Sequence, residues 1–277
     1  IRRQRQMCIR DRVIYLQLSD GKSQTGVLSA SIRYSVPSGD YIRFADDAVE
    51  SICVANWDTD GDGKISYAEA AAVESIGTVF ARKTVTTFDE FKYFTGVTSL
   101  SNYAFEASSL QSVEFPPGIT EIPTGCFKNC AQLSSVVLNE GITNIKNDGF
   151  YGCASLRHLP LPDTLAVIGN GAFINAGLID IDTPARTVSF GTSAFSGATA
   201  LQKVVVRGDA VFSMKVFQGC TGLQAVLLYS DTYIPWQGWL LDGVPGIVYV
   251  QDNLVSTYQA AGGWSGWTIK PISEYTE

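Results

Sequence analysis

The feature that most constrains this chain is a repeat of 22 or 23 residues. A phenylalanine returns six times, and each is followed, five or six residues later, by a leucine that opens a hexad Leu-x-x-Φ-x-Φ, where Φ is mostly apolar. The phenylalanines are Phe105, Phe127, Phe150, Phe173, Phe195 and Phe217, and the leucines are Leu110, Leu133, Leu156, Leu178, Leu201 and Leu223. One such turn cannot bury its own apolar side chains, whereas stacked turns can. The sequence therefore predicts a solenoid in which each hexad forms a short parallel strand.

Each hexad is predicted to bury its leucine and both Φ residues and to expose the residues between them. The residues two positions after the leucines form one outward column: Ser112, Ser135, His158, Asp180, Lys203 and Ala225. The residues four positions after the leucines form a second column: Glu114, Val137, Pro160, Asp182, Val205 and Leu227. A partly apolar exposed face suits a protein or peptide partner. The residues predicted to bind that partner are Glu114, Val137, His158, Asp180, Asp182, Lys203 and Val205.

Three residues of the first column have the side chains of a catalytic triad. Neighbouring strands lie about 4.8 Å apart, so Ser135, His158 and Asp180 stand in a row. Acyl transfer also needs an oxyanion hole and a cleft that excludes water, and a flat strand face offers neither. The sequence contains no phosphate loop, HExxH pair or nucleophile elbow. We therefore expect no enzyme activity and predict no catalytic residue.

Three cysteines occupy one slot of the repeat. Cys130, Cys153 and Cys220 each lie three residues after a repeat phenylalanine, where other turns have Ala176 or Ala198. A slot that accepts cysteine or alanine is a small buried position, so these thiols are predicted to lie in the core. Disulfides between neighbouring turns are the alternative. With one histidine and no CxxC pair in the chain, a zinc site is not expected.

Residues 58–69 have the spacing of a calcium-binding loop. Such loops place carboxylates at positions 1, 3 and 5, a glycine at 6, a backbone carbonyl at 7, a water-linked side chain at 9 and a bidentate glutamate at 12. The corresponding residues are Asp58, Asp60, Asp62, Gly63, Lys64, Ser66 and Glu69, with Ile65 as the apolar anchor. The loop therefore predicts calcium as a cofactor, and the alternative is a solvated turn without metal. Residues 70–95 hold no second loop, which argues against a dockerin.

Both flanks of this loop are predicted to be helical. Apolar residues from Val49 to Trp57 fall on one helix face, and Asp46 can cap that helix. A second helix is predicted over Tyr67–Ile76, ending at Gly77.

A capping box is predicted between Thr87 and Glu90. The phenylalanines at 88, 91 and 94 can cover the open end of the first repeat. Residues 41–96 are therefore predicted to form a calcium-stabilised N-terminal cap.

The repeats resemble those of BspA-like bacterial surface proteins, within the leucine-rich repeat superfamily. The turn LSSVVLNEGITNIKNDGFYGCAS (133–155) is similar to the consensus L-x-x-V-x-Φ-P-x-x-V-T-x-I-x-x-x-A-F-x-x-C. The resemblance covers about residues 97–246. It implies an α/β repeat fold, a right-handed leucine-rich-repeat solenoid with short parallel strands, and an extracellular or cell-surface adhesion role. The pattern departs from the consensus at Thr183, and residues 223–246 lack the phenylalanine, which suggests a capping turn.

The two ends of the chain have a different character. Residues 1–12 contain MCIRDR, which resembles a translated sequencing adapter, so we expect this segment to be foreign and the native N-terminus to be missing. Residues 13–40 alternate polar and apolar residues around Asp20 and are expected to be a remnant of an upstream β region. Residues 247–277 are predicted to form a C-terminal cap with a final strand at Ile247–Gln251 and a helix through Ala261 that Asp252 can cap.

Four of the five tryptophans lie in the last part of the chain: Trp236, Trp239, Trp264 and Trp267. They are predicted to seal the last turn, as every solenoid must. The alternative is an aromatic platform for a glycan, which would make the chain an accessory module of a larger surface enzyme.

Charge excludes one class of partner. The chain has 20 basic and 27 acidic residues; removing the five arginines and one aspartate of residues 1–12 leaves 15 and 26, a net charge of −11. A nucleic-acid binder needs a basic face, so none is expected here. No apolar run approaches the ~18–20 residues that span a bilayer. The sequence therefore predicts a non-enzymatic cell-surface or secreted binding protein.

Overall fold

The computed structural model describes residues 5–9, 12–16, 41–186, 188–235, 246–261, 264 and 267–276. The chain divides into two units, residues 1–38 and 39–277. The first contains an antiparallel strand pair, β1 (Arg5–Ile9) and β2 (Arg12–Leu16). Of the β region predicted over residues 13–40, residues 13–16 lie in β2 and the rest lies outside the described residues.

Two short helices open the second unit. Helix α1 (Asp47–Trp57) begins at Asp46, whose Oδ1 accepts hydrogen bonds from the backbone nitrogens of Ala48 (2.7 Å) and Val49 (3.3 Å), as predicted. Helix α2 (Tyr67–Ala72) ends four residues earlier than predicted. Val73 and Ile76 are buried in the following irregular segment, so core packing overrides the local helical preference of this stretch.

The capping box predicted at Thr87 is not formed. Thr87 lies in a strand, and its hydroxyl oxygen is 2.7 Å from that of Ser112 in the first repeat. A 3₁₀ helix (Asp89–Tyr93) follows, and Glu90 Oε1 instead accepts a hydrogen bond from Ala45 N. Pairing with the first repeat therefore replaces the local cap.

Short parallel strands form two faces of a solenoid. The strands are β3 (Thr87–Phe88), β4 (Ser112–Glu114), β5 (Glu121–Ile122), β6 (Ser135–Val137), β7 (Asn144–Ile145), β8 (Val167–Ile168), β9 (Asp180–Asp182), β10 (Val188–Phe190), β11 (Lys203–Val206), β12 (Ala210–Phe212), β13 (Ala225–Leu228), β14 (Ile247–Val250) and β15 (Thr268–Pro271). The hexad face contains a three-stranded sheet, β3-β4-β6, and a five-stranded sheet, β9-β11-β13-β14-β15. The second face is the sheet β5-β7-β8-β10-β12. All these pairs are parallel, which confirms the predicted solenoid.

The third hexad interrupts the hexad face. Residues 156–161 form no strand, so five of the six predicted hexad strands are present. Pro160 lies within this hexad and Pro162 directly after it, and a proline has no N–H to donate to a ladder. The third hexad is linked to the residue directly before β9, because Ile179 N donates a hydrogen bond to Arg157 O (2.9 Å).

The repeat phenylalanines form one stack along the solenoid. All six are buried, and the five distances between neighbouring ring centroids are 5.2–5.6 Å, with interplanar angles of 2–18°. The stack continues into the N-terminal cap, where the Phe80 ring packs on Phe105 at 5.7 Å. Phe91 packs on Phe105 at 6.1 Å, so the cap covers the first repeat as predicted.

The cysteines of the repeat are buried free thiols. Each slot thiol donates to the carbonyl of the phenylalanine in the preceding turn: Cys130 to Phe105 (2.9 Å), Cys153 to Phe127 (3.2 Å) and Cys220 to Phe195 (3.0 Å). Burial raises the pKa of all three thiols. The slot thus accepts cysteine because the thiol has a main-chain acceptor there.

The C-terminal segment differs in two details from the prediction. Helix α3 (Val255–Ala260) has no side-chain cap, and Asp252 Oδ1 instead accepts a hydrogen bond from Ser273 N at 3.2 Å. The strand β14 is not the final one, because β15 pairs with its outer edge.

Candidate functional site

The hexad face carries an open groove of about 670 Å³. It runs across the third to sixth turns of the solenoid, and its far end includes Tyr275 from the C-terminal segment. Five of the seven predicted binding residues line it: His158, Asp180, Asp182, Lys203 and Val205. Its volume lies within the range of small-molecule sites.

One ion pair and one contact between a histidine and a carboxylate form the polar rim of the groove. Arg207 donates two hydrogen bonds of 2.6 Å to Asp182, from Nε to Oδ1 and from a terminal guanidinium nitrogen to Oδ2. These hydrogen bonds and the carboxylate charge raise the pKa of Arg207. Beside this pair, His158 Nδ1 lies 3.0 Å from Asp180 Oδ1. A bidentate pair holds the guanidinium and the carboxylate in one relative orientation.

The floor of the groove is apolar. Val205 and Leu227 face outward from their strands, yet they are only 7% and 2% exposed. Val205 lines the groove as predicted for a binding residue, but the expectation that its side chain is exposed is wrong. Arg207, Tyr229 and Tyr275 stand around the same groove, and Tyr275 is fixed by an edge-on contact with Tyr249 at 5.0 Å.

Sequence reasoning missed Arg207, Tyr229 and Tyr275. Arg207 and Tyr229 each lie six residues after a repeat leucine, one position beyond the end of the hexad. The residues six positions after the repeat leucines form a third column, and this column could have been recognised in the sequence. No repeat position predicts Tyr275, which reaches the groove through the fold of the C-terminal segment.

Two predicted binding residues do not line the groove. Glu114 is 2% exposed and forms an ion pair with Lys92 of the cap at 2.8 Å, so the prediction that it faces a partner is wrong. The cause is the 3₁₀ helix of the cap, which brings Lys92 against the strand β4. Val137 is 48% exposed on the hexad face, outside the groove lining.

The predicted row of triad residue types is only partly assembled in the groove. His158 and Asp180 form a pair and line the groove, whereas Ser135 is not among the lining residues. The side chains of His158 and Asp180 are 62% and 44% exposed, so water reaches both. This open arrangement fits recognition better than acyl transfer.

The acidic loop in the N-terminal cap gathers three of its predicted ligands. Carboxylate oxygens of Asp58, Asp60 and Glu69 all lie within 4.8 Å of one another. Gly63 has φ +83°, the left-handed turn that position 6 requires. Ile65 is fully buried, and its carbonyl accepts a hydrogen bond from Ile42 N at 2.8 Å. A strand-like bridge from the preceding segment therefore supports this unpaired loop.

Backbone hydrogen bonds hold the loop carboxylates in place. Asp58 accepts from the backbone nitrogens of Gly61 (2.7 Å) and Gly63 (2.9 Å). Hydrogen bonds from the backbone of Ser66 and then of Thr59 lower the pKa of Glu69 to about 2. Asp60 accepts a hydrogen bond from Asp62 N, which lowers its pKa, but burial and the nearby carboxylates outweigh this and raise that pKa overall.

The other three predicted calcium ligands, Asp62, Lys64 and Ser66, contact neighbouring residues of the cap. Asp62 Oδ1 accepts from Lys64 N at 2.9 Å. The Lys64 ammonium lies 4.7 Å from the ring centroid of Tyr41, so its charge is held by that ring. Ser66 caps helix α2 in a reciprocal capping box with Glu69.

The C-terminal tryptophans that are described do not form a platform. Trp264 and Trp267 are 3% and 9% exposed, and the Trp264 ring packs 5.6 Å from that of Tyr258. They are core residues, as the capping prediction expects. Trp236 and Trp239 lie outside the described residues.

Comparison with known proteins supports the repeat architecture. Residues 98–224 match six copies of the BspA type leucine rich repeat region. No curated protein matches the sequence. Among the part of the chain that the structure describes, no helix is long and apolar enough to cross a membrane.

Several solved structures are similar to this chain. A leucine rich repeat protein from T. pallidum is 22% identical with a TM-score of 0.46, over 60% of this chain and 77% of that one. A leucine-rich repeat protein from Bacteroides ovatus is 14% identical with a TM-score of 0.34, over 73% and 76%. The pneumococcal vaccine antigen PcpA is 14% identical with a TM-score of 0.37, over 64% and 40%.

Proposed function

We propose that this chain is a non-enzymatic binding protein of the cell surface or the secreted fraction, and that it recognises a protein partner through the hexad-face groove. The single observation that carries this proposal is that five of seven predicted binding residues line one groove with a polar rim and an apolar floor. The BspA-type repeats support the surface location, because that resemblance implies it.

Partner capture with matched charge reversals tests the groove. The Arg207→Glu variant places a second carboxylate beside Asp182 and should abolish capture of surface or host proteins retained by the wild type. The control is Lys146→Glu, since Lys146 is similarly exposed but pairs with Glu121 at 3.1 Å on the other sheet. Equal capture by both variants would place recognition elsewhere on the molecule.

We also propose that residues 58–69 bind calcium and thereby stabilise the cap. The residues that would hold the ion are Asp58, Asp60, Asp62, Lys64, Ser66 and Glu69. Three clustered carboxylates are hard oxygen donors, which calcium prefers. The bound ion would supply charge neutralisation and would join helices α1 and α2. In this proposal calcium stabilises the folded cap and takes part in no reaction.

A further inference from the structure

We propose that residues 41–46 form a strap that couples calcium binding at residues 58–69 to the first strand of the hexad face. This proposal rests on the proposed function of residues 58–69 and specifies how that site is connected to the solenoid. The strap contacts the loop at its beginning and the residue before β3 at its end.

The beginning of the strap is bonded to the loop. Ile42 N donates a hydrogen bond to Ile65 O at 2.8 Å. Tyr41 pairs with Ser66 in an antiparallel bridge, and the Lys64 ammonium lies 4.7 Å from the ring centroid of Tyr41. Lys64 and Ser66 are proposed calcium ligands, and Ile65 lies between them. Fixing the backbone of both ligands therefore also fixes the carbonyl to which the strap is bonded.

The end of the strap is bonded to the start of the hexad face. Asp46 Oδ1 caps helix α1, while its Oδ2 accepts hydrogen bonds from the backbone nitrogen (2.5 Å) and the hydroxyl (2.6 Å) of Thr86. Thr86 directly precedes β3. Ala45 N donates to Glu90 Oε1 at 3.1 Å in the 3₁₀ helix that follows β3. The strap thus joins the loop to both elements that cover the first repeat.

The strap has the character of a segment that opens locally. Of its six residues only Ile42 is buried, and Tyr41, Arg43 and Ala45 are exposed. The hydrogen bonds from Ala45 N and Thr86 N are also exposed to solvent. Segments with few buried contacts and exposed hydrogen bonds open at a lower free-energy cost than the core. We therefore expect the strap to open and close while the rest of the cap stays folded.

The coupling between loop and strap is reciprocal. A ligand that favours the closed strap is itself bound more tightly when the strap is closed. If the loop binds calcium only with the strap closed, calcium lowers the population of the open strap by the factor 1 + [L]/Kd. With Kd on the order of 10⁻⁴ to 10⁻³ M and calcium at about 5 mM, this factor is about 6 to 50.

The strap is a different connection from the aromatic core of the cap. The loop also reaches the solenoid through the packing of Trp57 on Phe80, whereas the bonds between Asp46 and Thr86 involve no ring. The Asp46→Asn variant can interrupt the strap alone, because asparagine caps a helix about as well as aspartate. Its amide has a single acceptor oxygen, so it cannot serve both helix α1 and Thr86.

Amide hydrogen exchange of the full chain, resolved by residue with NMR in about 5 mM calcium and in chelator, tests this proposal. Exchange of the Ile42, Ala45 and Thr86 amides in the wild type should slow about 6- to 50-fold in calcium. In Asp46→Asn the Thr86 amide should lose this response, while the Ile42 amide keeps it. Thr86→Val removes one of the two donors to Asp46 Oδ2 and should reduce the response of the same amide.

A matched control and a binding measurement separate the possible failures. Asp47→Asn makes the same chemical change at the neighbouring exposed residue and should respond like the wild type. A heat of calcium binding with equal exchange of the three amides in calcium and chelator would overturn the strap and leave the calcium site. A Thr86 response that survives in Asp46→Asn would assign the coupling to the aromatic core and also overturn the strap. Absence of any heat of binding would overturn the calcium site and, with it, this proposal.

Discussion

Removing calcium should destabilise the N-terminal cap. The clustered oxygens of Asp58, Asp60 and Glu69 repel one another when no cation lies between them. The loss should reach the solenoid, because Trp57, directly before the loop, packs on Phe80 (6.3 Å) and Phe94 (5.7 Å). Phe80 in turn joins the phenylalanine stack of the repeats.

The size of the effect follows from the expected affinity. A ligand that binds only the folded state stabilises it by RT ln(1 + [L]/Kd). A single loop of this kind belongs to the weak class, with Kd on the order of 10⁻⁴ to 10⁻³ M. At about 5 mM calcium the stabilisation is then about 1 to 2.3 kcal/mol. For a folded unit of this size the melting temperature should rise by roughly 2 to 9 °C.

The assay is thermal unfolding of the full chain in calcium and in chelator, followed by circular dichroism and tryptophan emission, with calorimetry for the heat of binding. The Trp57→Phe variant assigns the emission change to the loop. The Asp58→Ala/Glu69→Gln double variant should lose the calcium response, while glutamine at 69 preserves the helix cap. Glu74→Gln, an exposed carboxylate outside the loop, is the control and should respond like the wild type.

The reasoning fails if the wild type melts at the same temperature in calcium and in chelator and shows no heat of binding. Equal responses of the double variant and the Glu74→Gln control would place the ion elsewhere. Either result would leave residues 58–69 as a turn stabilised by its own backbone hydrogen bonds.

Three further predictions concern the interior. Phe150→Ala leaves a hole between two stacked rings and should cost about 3–5 kcal/mol in urea unfolding, with Phe150→Leu costing clearly less; an unchanged midpoint would contradict the stack. The repeat thiols should not react with a thiol reagent until denaturant unfolds the chain, because burial raises their pKa; fast labelling of the folded protein would contradict this. Burial raises the pKa of Glu90 above its ordinary value, so its ionisation penalises folding as pH rises through the folded pKa. Glu90→Gln should therefore stabilise the protein at pH 7 relative to its effect at pH 4, measured by denaturant midpoints, and the opposite order would refute the burial argument.

The sequence predicts the core of this molecule well, because the stacked turns place each repeat position in nearly the same surroundings. Phe150 and Leu156 are fully buried, as the ladders require. Even Thr183, which departs from the pattern, is buried at its ladder position, where its hydroxyl accepts a hydrogen bond from Arg207 N at 3.2 Å. A repeat position therefore indicates whether its side chain is buried, because its neighbours along the solenoid axis are the equivalent residues of the adjacent turns.

Contacts between non-equivalent segments were not predictable in the same way. Glu114 is covered by Lys92, which belongs to the cap and has no counterpart in the repeats. Val205 is buried although its column alternates outward, and Tyr275 comes from the C-terminal segment. The interruption at Pro160 was visible as a residue type, but its effect on the strand ladder depends on the neighbouring turns.

The third hexad, which forms no strand, divides the hexad face into two separate sheets. There the hexad sheet stops at β6 and resumes at β9, while the phenylalanine stack and the β7–β8 pairing continue past it. Residues 156–161 take part in no strand pairing, although Ile179 N still donates a hydrogen bond to Arg157 O across this interruption. Amide protons of residues 156–161 should therefore exchange faster than those of β11 and β13. Because residues 158–161 line one end of the groove, that end lacks the ladder of main-chain hydrogen bonds that supports the opposite end at β13.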